Sequence, residues 1–249
     1  MYFWMLSNQE MAVGMTVSIT TVMNGIHQIH LGRTSATLIE TSDSPVLIDL
    51  GWKWSYERLK KSLRALGYDL DDVSLAAVTH YHPDHSGGMR SFRKRTGKNV
   101  AVHIAEASIY TAEVPIPAIM RGWRGAFGML NPLINLFGKN LGPADILLQG
   151  NELLPAALDI EVIHTPGHTP GSVSFYIPAK ETLIVGDAMM HRRGKLYPPH
   201  IAFSHDNSIA FDSIRKLAEY DCSVVCFSHY PPLVAGAQAR IKELAASLG

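Results

Sequence analysis

The sequence predicts a mixed α/β fold in which two β-sheets pack together with helices on their outer faces. Three observations lead there. Short β-prone runs alternate with amphipathic helical stretches over the first hundred residues. The same style returns after residue 150. Between the two halves, Ala107–Gly150 has a composition of its own.

Taken in order, Val17–Val22, His27–Ile29, Ala36–Glu40 and Val46–Asp49 read as strands separated by Gly and Ser-Asp-Ser-Pro turn signals. Ser55–Leu66 is an amphipathic helix: Leu59, Leu63 and Leu66 share a face, Ser55 is placed to cap the start, and Gly67 ends it. Leu75–Thr79 is a short strand that runs into a histidine cluster. A basic helix from Gly88 to Thr96 and the strand Val100–Ile104 complete this half. Ala107–Gly150 carries Pro115, Pro117 and Pro132, several glycines, and apolar Trp123, Phe127, Leu130, Leu133 and Phe137, which predicts an inserted apolar helical cap. In the second half, Ile160–His164, Val173–Ile177, Thr182–Val185 and Val224–Ser228 are strands, and Ser208–Glu219 is a helix. A last helix, Gln238–Leu248, places Ile241, Leu244 and Leu248 at helical spacing. No low-complexity linker divides the chain, so residues 1–249 are expected to form one domain, with 1–15 as a flexible N-terminal extension.

Composition narrows the function classes. A chain of 249 residues can bury a substantial core, and its 47% hydrophobic and 18% charged residues are ordinary for a globular protein. Lys plus Arg equals Asp plus Glu at 22 each, so no global field attracts nucleic acid or anionic lipid. The charge-free run Gly125–Gly138, 14 residues long, is below the ~18 that suggest a membrane span, and Asn131, Pro132 and Asn135 interrupt it. MYFWMLSNQEM lacks a basic leader and its apolar stretch is too short for a signal peptide, which makes a cytoplasmic location the expectation. Cys222 and Cys226 lie in CSVVCF, read as a buried strand. Four residues of strand span roughly 13 Å, too far for a disulfide, so both are expected to be core thiols.

The chemistry is concentrated in Thr79-His80-Tyr81-His82-Pro83-Asp84-His85-Ser86-Gly87-Gly88. In an extended segment alternate side chains share a face, so His80 and His82 can hold one ion together. Pro83 is expected to keep this stretch out of a helix and to turn Asp84 and His85 elsewhere. Gly87 and Gly88 permit close backbone approach. One histidine alone reads as an ordinary polar residue, but four ligand-type residues in six positions at a strand end do not. His168 in TPGHTPGS, Asp187 after Gly186 and His229 after Ser228 each follow an apolar strand, where catalytic groups gather.

HYHPDH, TPGHTPGS, the Gly186-Asp187 step and the Ser228-His229 strand end resemble the metallo-β-lactamase superfamily over about residues 17 to 249. The resemblance implies an αββα sandwich with a helical cap insertion and metals at one rim, between the sheet edges. It implies His80, His82 and His168 on one metal, Asp84, His85 and His229 on the other, and Asp187 bridging both. Asp49 stands where the family has a buried supporting Asp; the alternative is a simple turn acid. Five imidazoles and two carboxylates without a thiolate suit two Zn²⁺, with Fe or Mn as alternatives. Two metals about 3.5–4 Å apart ionise a bridging water, and the resulting hydroxide would attack a polarised carbonyl while Asp84 orients it and protonates the leaving group.

Among the branches, β-lactamases generally lack the bridging Asp, and flavodiiron relatives carry Glu at the place of His82. Glyoxalase II enzymes add a helical domain after the last ligand, whereas 20 residues follow His229 here. The 83 positions from His85 to His168 leave room for a cap, as in lactonase-like members, and an apolar cap suits an acyl substrate. Quorum-signal lactonases have a tyrosine three residues after the bridging Asp, where this chain has Met190; Tyr197 either supplies that hydroxyl or serves in packing. His191, Arg192, Arg193 and Lys195 form a basic patch that either holds a substrate carboxylate or phosphate or is simply a solvated loop. The expectation is a dinuclear-metal hydrolase acting on an ester, lactone or thioester of a small, partly apolar molecule. The competing classes are a mononuclear iron oxygenase like the persulfide dioxygenases, and a non-catalytic metal-binding module.

Overall fold

The computed structural model describes residues 17–114 and 141–248. The N-terminal extension expected at 1–15 and most of the expected cap lie outside these residues. Seven strands form the first sheet in sequential order: β1 (Ile19–Met23), β2 (Ile26–His30), β3 (Ser35–Ile39), β4 (Val46–Ile48), β5 (Leu75–Ala77), β6 (Val100–His103) and β7 (Ile146–Leu148). β1 to β4 form an antiparallel meander and β4 to β7 run parallel. The second sheet has the order β14-β11-β10-β9-β8, from β8 (Leu153–Leu154), β9 (Ala157–His164), β10 (Val173–Ile177), β11 (Thr182–Ile184) and β14 (Val224–Cys226). β12 (Met190–Arg192) and β13 (Lys195–Tyr197) make a separate hairpin.

Side-chain alternation builds four layers. Val46 and Ile48 point to the second sheet, where they meet Val162 and Phe175, while Leu47 between them points the other way. Leu47 packs with Leu59 and Leu63 of α1 (Tyr56–Ala65) and Phe92 of α3 (Met89–Thr96). On the far side, Leu183 and Val185 meet Ile214 of α5 (Asn207–Leu217) and Ile241 of α6 (Ala237–Ser247). The result is helix, sheet, sheet, helix, as expected. β4 and β5, at the centre of the first sheet, are buried on both faces, which is why they read as unbroken apolar runs.

Local expectations need four corrections. Pro83 does not exclude a helix. It occupies the first position of the short helix α2 (Pro83–Ser86), where its missing N–H costs nothing and its fixed φ suits the turn. Ser55 makes no side-chain cap; its hydroxyl donates to the Leu31 carbonyl at 3.2 Å. The basic stretch after Asp187 is an ordered hairpin whose two-residue turn, Arg193-Gly194, has both φ positive, 49° and 76°. Of Ala107–Gly150, the described ends are α4 (Ala107–Tyr110) and β7, and the latter belongs to the sheet rather than to a cap. No helix among the described residues is long and apolar enough to cross a membrane.

Candidate metal centre

The parallel strands β4, β5, β11 and β14 end at one rim, where α/β sheets gather their ligands. Asp49 follows β4, the His80–His85 segment follows β5, Asp187 follows β11 and His229 follows β14. The loop after β9 contributes His168. All seven expected ligands therefore meet. Three groups have their ligand atoms within 4.8 Å of one another: His80, His82 and His168; His80, His85 and Asp187; Asp84, His85 and His229. Asp187 reaches toward both sides, 3.5 Å from His168, 3.7 Å from His85 and 3.2 Å from His229.

The helical turn begun by Pro83 explains how residues adjacent in sequence serve different groups. His82 lies before the turn and faces His80 and His168, while Asp84 and His85, inside it, face His229. Gly87 and Gly88 permit the turn to pack: a Cβ on Gly87 would lie 2.4 Å from the Pro83 carbonyl oxygen, and one on Gly88 2.5 Å from that of Leu50. Gly186 has φ +55° and passes so close to Thr79 that a Cβ would sit 2.9 Å from its Cβ.

The donor set fits a cation. His80 Nε2 and His168 Nε2 both face His82 Nδ1, at 2.9 and 3.1 Å. One proton cannot satisfy both contacts, and converging lone pairs repel unless a positive charge lies among them. Burial, reinforced by neighbouring imidazoles, holds His80 and His82 well below the ordinary imidazole range, and burial takes His168 to about 4 despite Asp187. These rings are neutral at pH 7, the form that binds metal. In the other group burial also disfavours charge, but carboxylates outweigh it. Asp49, Asp84 and Asp187 raise His85 well above its usual value, and Asp187 with Asp84 takes His229 to about 9. Burial alone would raise Asp187, yet His229 and His85 pull it well below the carboxylate range. Protons there answer the negative charge that a metal ion would otherwise answer.

Backing groups set the ring orientations. Asp49, 1% exposed, accepts from His85 Nδ1 at 2.7 Å, the Thr79 amide at 2.8 Å, the Thr79 hydroxyl at 3.0 Å and the Ser228 hydroxyl at 3.2 Å. It is a hub rather than a turn acid. His229 Nδ1 donates to the Arg33 carbonyl at 2.6 Å, which leaves Nε2 for the site. Sequence reasoning missed Thr79, Ser228 and the Arg33 carbonyl. It also missed Glu106, a buried acid just past β6 that accepts hydrogen bonds from the Thr169 hydroxyl and, at 2.9 Å, the Gly171 amide. A lone acid following an apolar run was the available signal for Glu106.

The expected substrate residues lie on the β12–β13 hairpin and belong to none of the three ligand groups. Tyr197 is largely exposed on β13, directly opposite Met190 of β12, and Arg192 and Arg193 are exposed at the hairpin tip. Burial pushes the hydroxyl of Tyr230, the neighbour of His229, above its ordinary range, and the Arg192 charge opposes that rise.

A family model described as metallo-beta-lactamase superfamily matches residues 31–229. A probable metallo-hydrolase of Bacillus subtilis, YybB, is 26% identical over 191 residues, 77% of this chain and 78% of that protein. An N-acyl homoserine lactonase of Bacillus thuringiensis is 24% identical over 229 residues, 77% of this chain and 79% of that one. Among solved structures, a metallo-beta-lactamase from Pontibacter korlensis superposes with a TM-score of 0.69 at 20% identity, covering 93% of this chain and 100% of that chain.

Proposed function

The chain belongs to the metallo-beta-lactamase superfamily, and from that premise we propose that it is a hydrolase using two metal ions, most simply Zn²⁺, to cleave an ester, lactone or thioester. The observation that carries this reading is the convergence of five imidazoles and two carboxylates into overlapping groups with ligand atoms within 4.8 Å. Zinc is favoured by nitrogen and oxygen donors without thiolate; Fe and Mn suit the same donors. His80, His82 and His168 would hold one ion, Asp84, His85 and His229 the other, and Asp187 would serve both. Metals held there supply Lewis acidity and lower the pKa of water toward neutrality.

This chain's own residues would do the rest. Asp84 is part exposed, with Oδ2 3.4 Å from His229 Nε2. It is the carboxylate placed to orient an attacking water and pass its proton to the leaving oxygen or sulfur. Asp49 would keep His85 in the tautomer that presents Nε2. On the hairpin, directly paired residues have Cβ atoms about 4.5–5.5 Å apart. Tyr197 is thus paired with Met190 on the hairpin, and Tyr197 with Arg192 and Arg193 would contact the substrate's carbonyl or carboxylate. The similarity to a lactonase supports the ester-like class.

The test is metal analysis of the purified protein together with turnover of a thioester, an aryl ester, a lactone and a phosphodiester. Two equivalents of metal and hydrolysis within the first three substrates are expected. A single tightly bound iron with no hydrolysis of any of them refutes the reading.

A further inference from the structure

We propose that Glu106 is a positioning residue, a buried clamp that fixes the segment carrying His168 against the one carrying His80 and His82. Its carboxylate is 1% exposed and lies on the short stretch between β6 and α4. Oε1 accepts from the Thr169 hydroxyl and from the Gly171 amide at 2.9 Å, on the C-terminal side of His168. The Tyr81 backbone amide, between His80 and His82, also favours the charge on Glu106. One side chain thus addresses both segments that supply the all-imidazole group.

The packing leaves no slack. A Cβ on Gly171 would lie 2.6 Å from Glu106 Cγ. Thr169 is tied back in turn, its amide donating to Ser172 Oγ at 3.0 Å and the two hydroxyls lying 2.8 Å apart. Beside this joint the rings of His103 and His164 stack at 4.0 Å and 16°, joining the ends of β6 and β9 a second time. Burying a carboxyl is costly, and a side chain needed only for packing would be apolar. Burial raises Glu106 to about 7 against the hydrogen bonds that favour its charge. The Tyr110 hydroxyl, buried on α4 beside the carboxyl, also favours its charge, so Glu106 ties the His168 loop to α4 as well. Ligand orientation is sensitive to such support, which is typically worth about 10–100-fold in metal affinity.

This inference rests on the metal-binding reading, and the experiment separates the two. Zn²⁺ affinity is measured by competition with a chromophoric chelator, and coordination by Co²⁺ absorption, for the wild type, Glu106→Ala, Glu106→Gln and Thr169→Val. Thermal melting of the metal-free proteins reports folding. The expected result is a folded Ala variant that binds its weakest-held ion about 10–100-fold less well, with an altered Co²⁺ spectrum. Gln, which keeps an acceptor for Thr169 and Gly171, restores most of the affinity, whereas a merely structural role would move melting without this pattern. An Ala variant with wild-type affinity and spectrum overturns the clamp. Should Ala not fold, unchanged affinity in Thr169→Val overturns it instead. A wild type that takes up no metal removes the metal reading and the clamp with it.

Discussion

Replacing Asp49 with Asn probes how the ligand rings are set. The position has φ +63°, which Asn tolerates at least as well as Asp, so the backbone is undisturbed. What changes is the hydrogen-bond pattern. Asp49 accepts from His85 Nδ1, the Thr79 amide and the hydroxyls of Thr79 and Ser228, and offers no donor. Asn has one acceptor oxygen, which the fixed Thr79 amide claims, so its NH₂ faces His85 Nδ1. His85 can relieve that clash only by moving its proton to Nε2, the atom that faces Asp84, Asp187 and His229. The ring then points a hydrogen where a metal needs a lone pair. Loss of such orientation typically costs about 10–100-fold in affinity, or roughly 1.4–2.7 kcal/mol. Chelator competition with Zn²⁺ measures it, and one equivalent should weaken while the His80, His82 and His168 group retains its own. Two equivalents at wild-type affinity in this variant would falsify the assignment of Asp49 as the residue that selects the tautomer.

Three further outcomes are expected. Asp84→Asn should keep most of its metal but lose turnover by about 100-fold or more, the scale of a lost proton-transfer group; undiminished kcat removes its catalytic role. Gly186→Ala forces Ala to φ +55° with its Cβ 2.9 Å from that of Thr79. That costs at least about 1–2 kcal/mol and lowers Tm by several degrees, and a melting curve matching wild type refutes the close approach. Burial pushes the Cys226 thiol to about 12 and, with Asp221 and Glu181, Cys222 to about 11. At pH 8 the thiolate fraction is therefore on the order of one in a thousand or less, and a disulfide reagent should label neither until denaturant is added. Rapid labelling of the native protein contradicts that.

The central architecture was legible because it rests on repeated short-range rules. Apolar runs bounded by turn residues gave the buried strands, and Leu59 with Leu63 gave the buried face of α1. The candidate ligands were legible because unusual residues cluster after strands. What stayed hidden depends on contacts distant in sequence. β7 and β8 are short edge strands with Leu147 and Leu153 exposed, so they carry little pattern, and the β12–β13 hairpin looked like a charged loop because both its strand ends are basic. Pro83 was misread because the same ring that discourages a helix before it favours one at its own position. The hub at Asp49 reaches Thr79, His85 and Ser228 across 30, 36 and 179 positions, and no local signal encodes such partners.

Neither sheet carries a complete set of donors. His82 and His168 are 86 positions apart and His85 and His229 are 144 apart, each pair brought together only when the two sheets dock. For an unfolded chain, gathering such remote donors carries a closure entropy that grows with the logarithm of the spacing. An ion seated at either group would therefore favour the native form, raising the unfolding free energy by RT ln(1 + c/Kd) at free ion concentration c. Durability of this protein would then rise with the logarithm of free metal concentration. Starvation for the ion would shorten the molecule's lifetime as well as silence its chemistry.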